Sequence, residues 1–177
     1  MDSPHRLQQF IRNIPDFPKK GIVFRDITTL LQDAGAYHET IEVFYNRYRA
    51  AKIQKVVGIE SRGFIFGSAL ADKLQTGFVP VRKPKKLPSS TIREEYQLEY
   101  GVDALEIHTD AITKGEKILI VDDLLATGGT ALAAAHLVER LGGTITELAF
   151  LIELSFLNGR EKLKGYPVFS VVQYASE

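Results

Sequence analysis

The chain has 177 residues, 22 acidic and 22 basic side chains, 45% hydrophobic residues and no cysteine. That length supports one domain with a real core. The balanced charge gives no basic face for nucleic acid, the absent cysteines exclude disulfides and thiolate metal sites, and no apolar run approaches a membrane span.

Leu7, Phe10, Ile11 and Ile14 recur at helical spacing and predict a first helix over residues 3–13. The polar start does not read as a signal peptide, which points to a cytoplasmic protein. "IPDFPKKG" breaks the helix, and "IVFRDITTLL" is strand or irregular. Ile41, Phe44, Tyr45 and Tyr48 mark a second helix over residues 36–51. "KVVGIE" then reads as a short buried strand, "GFIFGSALADKL" as a helix and "GFVPVRK" as another strand. Residues 83–101 lack clean periodicity and read as an irregular lid, with Lys85, Glu94 and Glu95 facing solvent. "KILIVDD", a helix from about residue 130 to 141, "TELAFLIEL" and "VFSVVQYA" complete the chain. Apolar strands alternating with helices predict an α/β fold, a doubly wound, mostly parallel sheet flanked by helices. A small N-terminal hood of residues 1–35 precedes a core of residues 36–177.

Ligands in such sheets sit beyond the carboxyl ends of the strands. Asp122 and Asp123 end an apolar strand there, just before "ATGGT". That loop is either a glycine-rich helix cap or a cradle for one phosphate. The lysine and spacing of a nucleoside triphosphate loop are missing. Ionised carboxylates only accept hydrogen bonds, so the pair suits the vicinal hydroxyls of a ribose, or a hydrated Mg²⁺ held through water. The four histidines, His5, His38, His108 and His136, form no pair with metal-ligand spacing.

"ILIVDDLLATGGT" resembles the signature of the type I phosphoribosyltransferases. "FPKKGIVFRDIT", "ESRGFIFG", "VPVRKPKKLP" and "EEYQLEYG" are similar, in the same order, to segments of the adenine phosphoribosyltransferase family. The resemblance implies transfer of a phosphoribosyl group from phosphoribosyl pyrophosphate to adenine, giving AMP and pyrophosphate, with Mg²⁺ and in a homodimer. By that resemblance Ala126, Thr127, Gly128, Gly129 and Thr130 hold the 5′-phosphate, and Asp122 and Asp123 the ribose hydroxyls. Ser61, Arg62 and Gly63 receive pyrophosphate with Arg82, Lys83 and Lys86, and a non-proline cis peptide is expected in the "ESRG" loop. Val23, Phe24 and Arg25 form the adenine site, main-chain groups of Val23 and Arg25 reading the base edge and Phe24 serving as a stacking face or a buried anchor. Glu99 is the expected proton donor or acceptor at the purine, with Tyr100 beside it. Enzymes for 6-oxopurines carry an acidic residue in place of Ala126 and a lysine in place of Gly129. Another base, or a non-catalytic sensor of the same sugar phosphate, remains the alternative, though a sensor that regulates transcription would need a DNA-binding module.

Overall fold

Ile118, Leu119, Ile120 and Val121 are all fully buried, which requires cover on both faces of their strand. The computed structural model describes residues 3–97 and 101–176 and supplies that cover. In chain order the elements are α1 (Ser3–Gln8), β1 (Arg12–Ile14), β2 (Phe24–Asp26), α2 (Thr28–Gln32), α3 (Ala34–Tyr48), β3 (Lys55–Ile59), α4 (Arg62–Leu74) and β4 (Gly77–Val81). They continue with β5 (Thr91–Gln97), β6 (Val102–His108), β7 (Lys117–Leu125), α5 (Gly129–Arg140), β8 (Thr144–Leu154), α6 (Gly159–Lys162) and β9 (Val168–Tyr174).

Five parallel strands form the central sheet in the order β4-β3-β7-β8-β9. One face packs Val56, Leu119 and Val121 against Phe44 and Leu70 of α3 and α4; Leu7, Ile11, Ile27 and Leu30 of the N-terminal segment join this same core. The other face packs Val57, Ile59, Ile118 and Ile120 against Ala134 and Leu137 of α5 and against Leu105 and Ile107 of β6. From β3 the chain passes to β4 on one side, while β7 lies on its other side. A crevice therefore opens beyond the carboxyl ends of β3 and β7.

Two expectations are corrected. The first helix stops at Gln8, because Arg12 enters an antiparallel pair with Asp26, their side chains 3.0 Å apart at Nε. Leu7 and Ile11 remain buried, so their spacing reported burial correctly but not the backbone. Within the stretch read as irregular, Thr91–Gln97 forms a regular strand. β5 pairs with β6 in an antiparallel hairpin. Ile92, Glu94 and Tyr96 turn inward, while Arg93, Glu95 and Gln97 are exposed. The twofold alternation is thus present but carried by polar residues. Glu94 is not solvated as expected: its carboxylate lies 2.9 Å from His136 Nδ1 and accepts from Arg140 Nη1 at 3.0 Å, both on α5.

Candidate active site

The crevice is a cleft of about 340 Å³ lined by Glu60, Ser61, Arg62, Lys83, Tyr96, Leu105, Asp122, Asp123, Leu124, Ala126 and Thr130. Three separate chain segments meet there because three strand ends do. β3 passes into α4 through only Glu60 and Ser61, whose peptide bond is cis, as the resemblance implied. A Cβ on Gly63 would lie 2.7 Å from Asp122 Oδ1 and 2.9 Å from the Val121 carbonyl. Only glycine lets the start of α4 lie this close to the acidic end of β7.

β7 continues to Leu125, so Asp122 and Asp123 are successive residues of an extended strand, and both still line the cleft. Asp122 Oδ1 accepts the Asp123 amide at 2.9 Å. Asp123 is 5% exposed, and its Oδ2 stands 2.8 Å from Arg62 Nε without the alignment of a hydrogen bond. Burial raises the pKa of both carboxyls; the neighbouring Asp123 charge raises Asp122 further, and Arg62 pulls Asp123 back down. Among the described residues no aligned hydrogen-bond donor meets Asp123 Oδ2, although the Arg62 charge lies against it. A sugar hydroxyl would supply one.

The glycine loop turns at Gly128, where φ is +82° and a Cβ would stand 2.5 Å from the Gly159 carbonyl. α5 starts at the next residue, with no side-chain cap on its first-turn amides, in the loop that leaves the end of β7. Ala126 and Thr130 line the cleft, flanking Thr127, Gly128 and Gly129 in the loop between them. A Cβ on Gly129 would approach the Gln97 carbonyl at 3.2 Å, so the hairpin packs directly on this helix start.

Of the expected pyrophosphate cations, Lys83 lines the cleft and Arg82 braces it. Arg82 Nη2 bonds Glu60 Oε1 at 2.7 Å and its Nη1 reaches the Lys86 carbonyl at 3.1 Å. Glu60 Oε2 also accepts the Lys83 amide at 3.1 Å. The Arg82 hydrogen bond holds the Glu60 carboxyl below its usual pKa. The Lys86 side chain is exposed beside this group.

The phosphoribosyl transferase domain family matches residues 26–173 of the chain. Adenine phosphoribosyltransferase of Geobacter metallireducens is 60% identical over 168 residues, 95% of this chain and 98% of the relative. That of Flavobacterium johnsoniae is 56% identical over 96% of this chain and 99% of its own. The crystal structure of the Thermoanaerobacter pseudethanolicus adenine phosphoribosyltransferase superposes with a TM-score of 0.93 at 52% identity, covering 96% of this chain and 99% of the other. The Saccharomyces cerevisiae enzyme, solved with an imino-altritol bisphosphate and adenine, gives 0.91 at 42% identity, covering 96% and 98%. This chain belongs to the adenine phosphoribosyltransferase family.

Phe24 of β2 lies next to a cleft residue, Arg62. Its ring lies 5.3 Å from Arg62 Cζ and makes an edge contact with Phe17 at the same centroid distance. Val23, half-buried, precedes it. The Arg25 side chain turns elsewhere: Nη1 bonds Asn13 Oδ1 at 2.6 Å, Nη2 bonds the Ser176 carbonyl at 3.3 Å, and the guanidinium sits 4.1 Å over Tyr174. That side chain ties β2 to β9 and to Ser176 beyond it. Glu99 and Tyr100 lie outside the described residues. Sequence reasoning did not single out Tyr96, Leu105 or Leu124, and treated Glu60 only as the start of its loop. Tyr96 could have been found from its inward place in the β5 alternation, Leu124 from the β7 strand running past the acidic pair.

Proposed function

We propose that this cleft joins adenine to the phosphoribosyl group of phosphoribosyl pyrophosphate, the reaction for which the family is named. The buried Asp123 Oδ2, paired with the Arg62 charge but without an aligned hydrogen-bond donor among the described residues, supports the reading of how it does so. Asp122 and Asp123 accept the two ribose hydroxyls, while the amides of Thr127, Gly128, Gly129 and Thr130, with Ala126, hold the 5′-phosphate. The sugar then spans the crevice with its anomeric carbon toward Arg62. Ser61, Arg62 and Gly63 take the departing pyrophosphate, with Lys83 and with Arg82 and Lys86 at the edge. Val23, Phe24 and Arg25 hold the base; a main-chain carbonyl accepts from a 6-amino group and repels a 6-oxo oxygen, which favours adenine over hypoxanthine.

In the reaction the purine N9 bonds to the anomeric carbon as the bond to the pyrophosphate oxygen breaks. The electron pair leaves with pyrophosphate, and the N9 proton is lost. Glu99 is our choice for handling the purine's protons, with Tyr100 in support. The protein's part is to align the two reactants, to neutralise the leaving charge and to keep water from the anomeric centre. The hairpin, with Tyr96 and Leu105 in the cleft wall, serves that last purpose.

Mg²⁺ fits this donor set as a substrate-held ion. Among the described residues no group of three or more His, Cys, Asp or Glu is arranged to hold a metal, and Mg²⁺ commonly rests on one or two carboxylates, waters and substrate oxygens. Asp122 and Asp123 would hold it through water, and it would draw charge from the pyrophosphate and ribose oxygens.

Mixing adenine, hypoxanthine, guanine and uracil with phosphoribosyl pyrophosphate and Mg²⁺ tests the reading. AMP should be the product in large excess. Binding of the sugar pyrophosphate without any nucleotide would favour a non-catalytic sensor. No helix among the described residues is long and apolar enough to cross a membrane. The proposal extends to a cytoplasmic homodimer, its second half testable by sedimentation.

A further inference from the structure

Three cations stand around the pyrophosphate end of the cleft, each against a carboxylate: Arg62 against Asp123, Arg82 against Glu60 and Lys83 against Asp103. The first two acids belong to the floor. Asp123 lies in β7, and Glu60 closes β3 and also accepts the Lys83 amide. Asp103 differs, because it lies in β6, on the hairpin that walls the cleft. Its Oδ2 meets Lys83 Nζ and accepts from the Tyr96 hydroxyl at 3.3 Å; its Oδ1 accepts the Ala104 amide at 2.8 Å. The Tyr96 hydroxyl is itself 3.5 Å from Lys83 Nζ.

We propose that Asp103 is the resident counter-ion of Lys83, one that competes with the pyrophosphate of the substrate for the ammonium and yields it on binding. This inference rests on the reading of Lys83 as a pyrophosphate ligand. Lysine suits an exchange of this kind. Its ammonium is a compact charge with three donors on a flexible stem, so it can change partners without moving the backbone. The Lys83 side chain is 43% exposed and that of Asp103 25%, so water screens the pair and the contact is readily exchanged. Arg62 and Asp123 are more deeply set, at 35% and 7%. A pyrophosphate carries several negative charges against one on Asp103, and so wins the ammonium. It wins at a cost, since Asp103 first has to be displaced and then repels the bound anion. Asp103 therefore lowers affinity for the pyrophosphate end while leaving the base end alone.

Inorganic pyrophosphate titrated with Mg²⁺ into the full chain, together with steady-state kinetics, tests this. Asp103→Asn should tighten pyrophosphate binding and lower KM for phosphoribosyl pyrophosphate by roughly threefold to tenfold, with KM for adenine unchanged. Asp103→Ser, which shortens the side chain as well, should act in the same direction and guards against a folding defect in the first variant. Loss of a merely structural contact would weaken binding, so the sign decides. Unchanged or weakened binding in both variants, with Lys83→Met weakened as expected, overturns the counter-ion role and leaves Lys83 in the pyrophosphate site. Wild-type affinity in Lys83→Met removes Lys83 from that site, and this inference with it.

Discussion

Arg62 Nε stands 2.8 Å from Asp123 Oδ2, and the same guanidinium faces the Phe24 ring at 5.3 Å. One side chain from the start of α4 thus meets Asp123 on β7 and Phe24 on β2. Its charge also offsets part of the burial penalty on Asp123. Arg62→Ala should raise KM for phosphoribosyl pyrophosphate and lower kcat. It should also destabilise the fold by about 1–3 kcal/mol, because a buried carboxylate loses its cation. In Arg62→Ala/Asp123→Asn much of that stability should return while activity does not. Equilibrium denaturation beside kinetics separates the two, and additive losses in both would break the link between these residues.

At Gly128 two demands coincide, a φ of +82° and a carbonyl from Gly159 where a Cβ would stand. Gly128→Ala strains the backbone and pushes α6 from the loop. A loss of about 2–4 kcal/mol and of AMP binding is expected, measured by thermal unfolding and calorimetry. Gly115→Ala is the comparison at positive φ, since nothing among the described residues lies within 4 Å of its Cβ and the cost there is the backbone's. Equal losses at the two positions would refute the packing argument.

The central sheet was legible because its strands are apolar throughout, as in Ile118, Leu119, Ile120 and Val121, and because helical spacing frames them. Asp122, Asp123, Ser61, Arg62, Lys83, Ala126 and Thr130 could be gathered in advance, since strand ends collect ligand residues in this class of sheet and the family resemblance named them. The hairpin was not legible. Its inward face includes Glu94, whose carboxylate meets His136 and Arg140 of a distant helix, and no local pattern announces such a partnership. The same holds for Arg25, whose partners Asn13, Tyr174 and Ser176 come from both ends of the chain. Contacts between segments far apart in sequence leave no periodic trace.

Glu94 fastens the hairpin to α5, the helix whose start forms the glycine loop, and Arg140 adds a bond from Nη1 to the Arg93 carbonyl at 2.7 Å. Glu94→Ala should free β5 and β6 to open more often without unfolding the central sheet. Amide hydrogen exchange in Thr91–Gln97 and Val102–His108 should quicken by roughly fivefold, while β7 and β8 keep their protection. Uniform quickening across the sheet would show that the hairpin is no separate unit.

Asp26 ties β2 to β1 and to the start of α2 through acid-sensitive bonds. The Thr28 amide donates to Oδ1 at 2.9 Å, and Arg12 donates to Oδ2 from Nε at 3.0 Å, which lowers the carboxyl to a pKa of about 2. A carboxylate held below its unfolded value stabilises the fold at every pH above that unfolded value, near 3.8. The stabilisation fades as pH falls from there through about 2, where the folded state also takes up the proton. It is roughly 1–2 kcal/mol, discounted from the full shift because Arg12 is largely exposed. Asp26→Asn should therefore be less stable than wild type at neutral pH by that amount, with the difference closing between pH 4 and 2. Urea midpoints measured across that range check it, and a difference that persists at pH 2 would assign the Asp26 contribution to packing rather than charge.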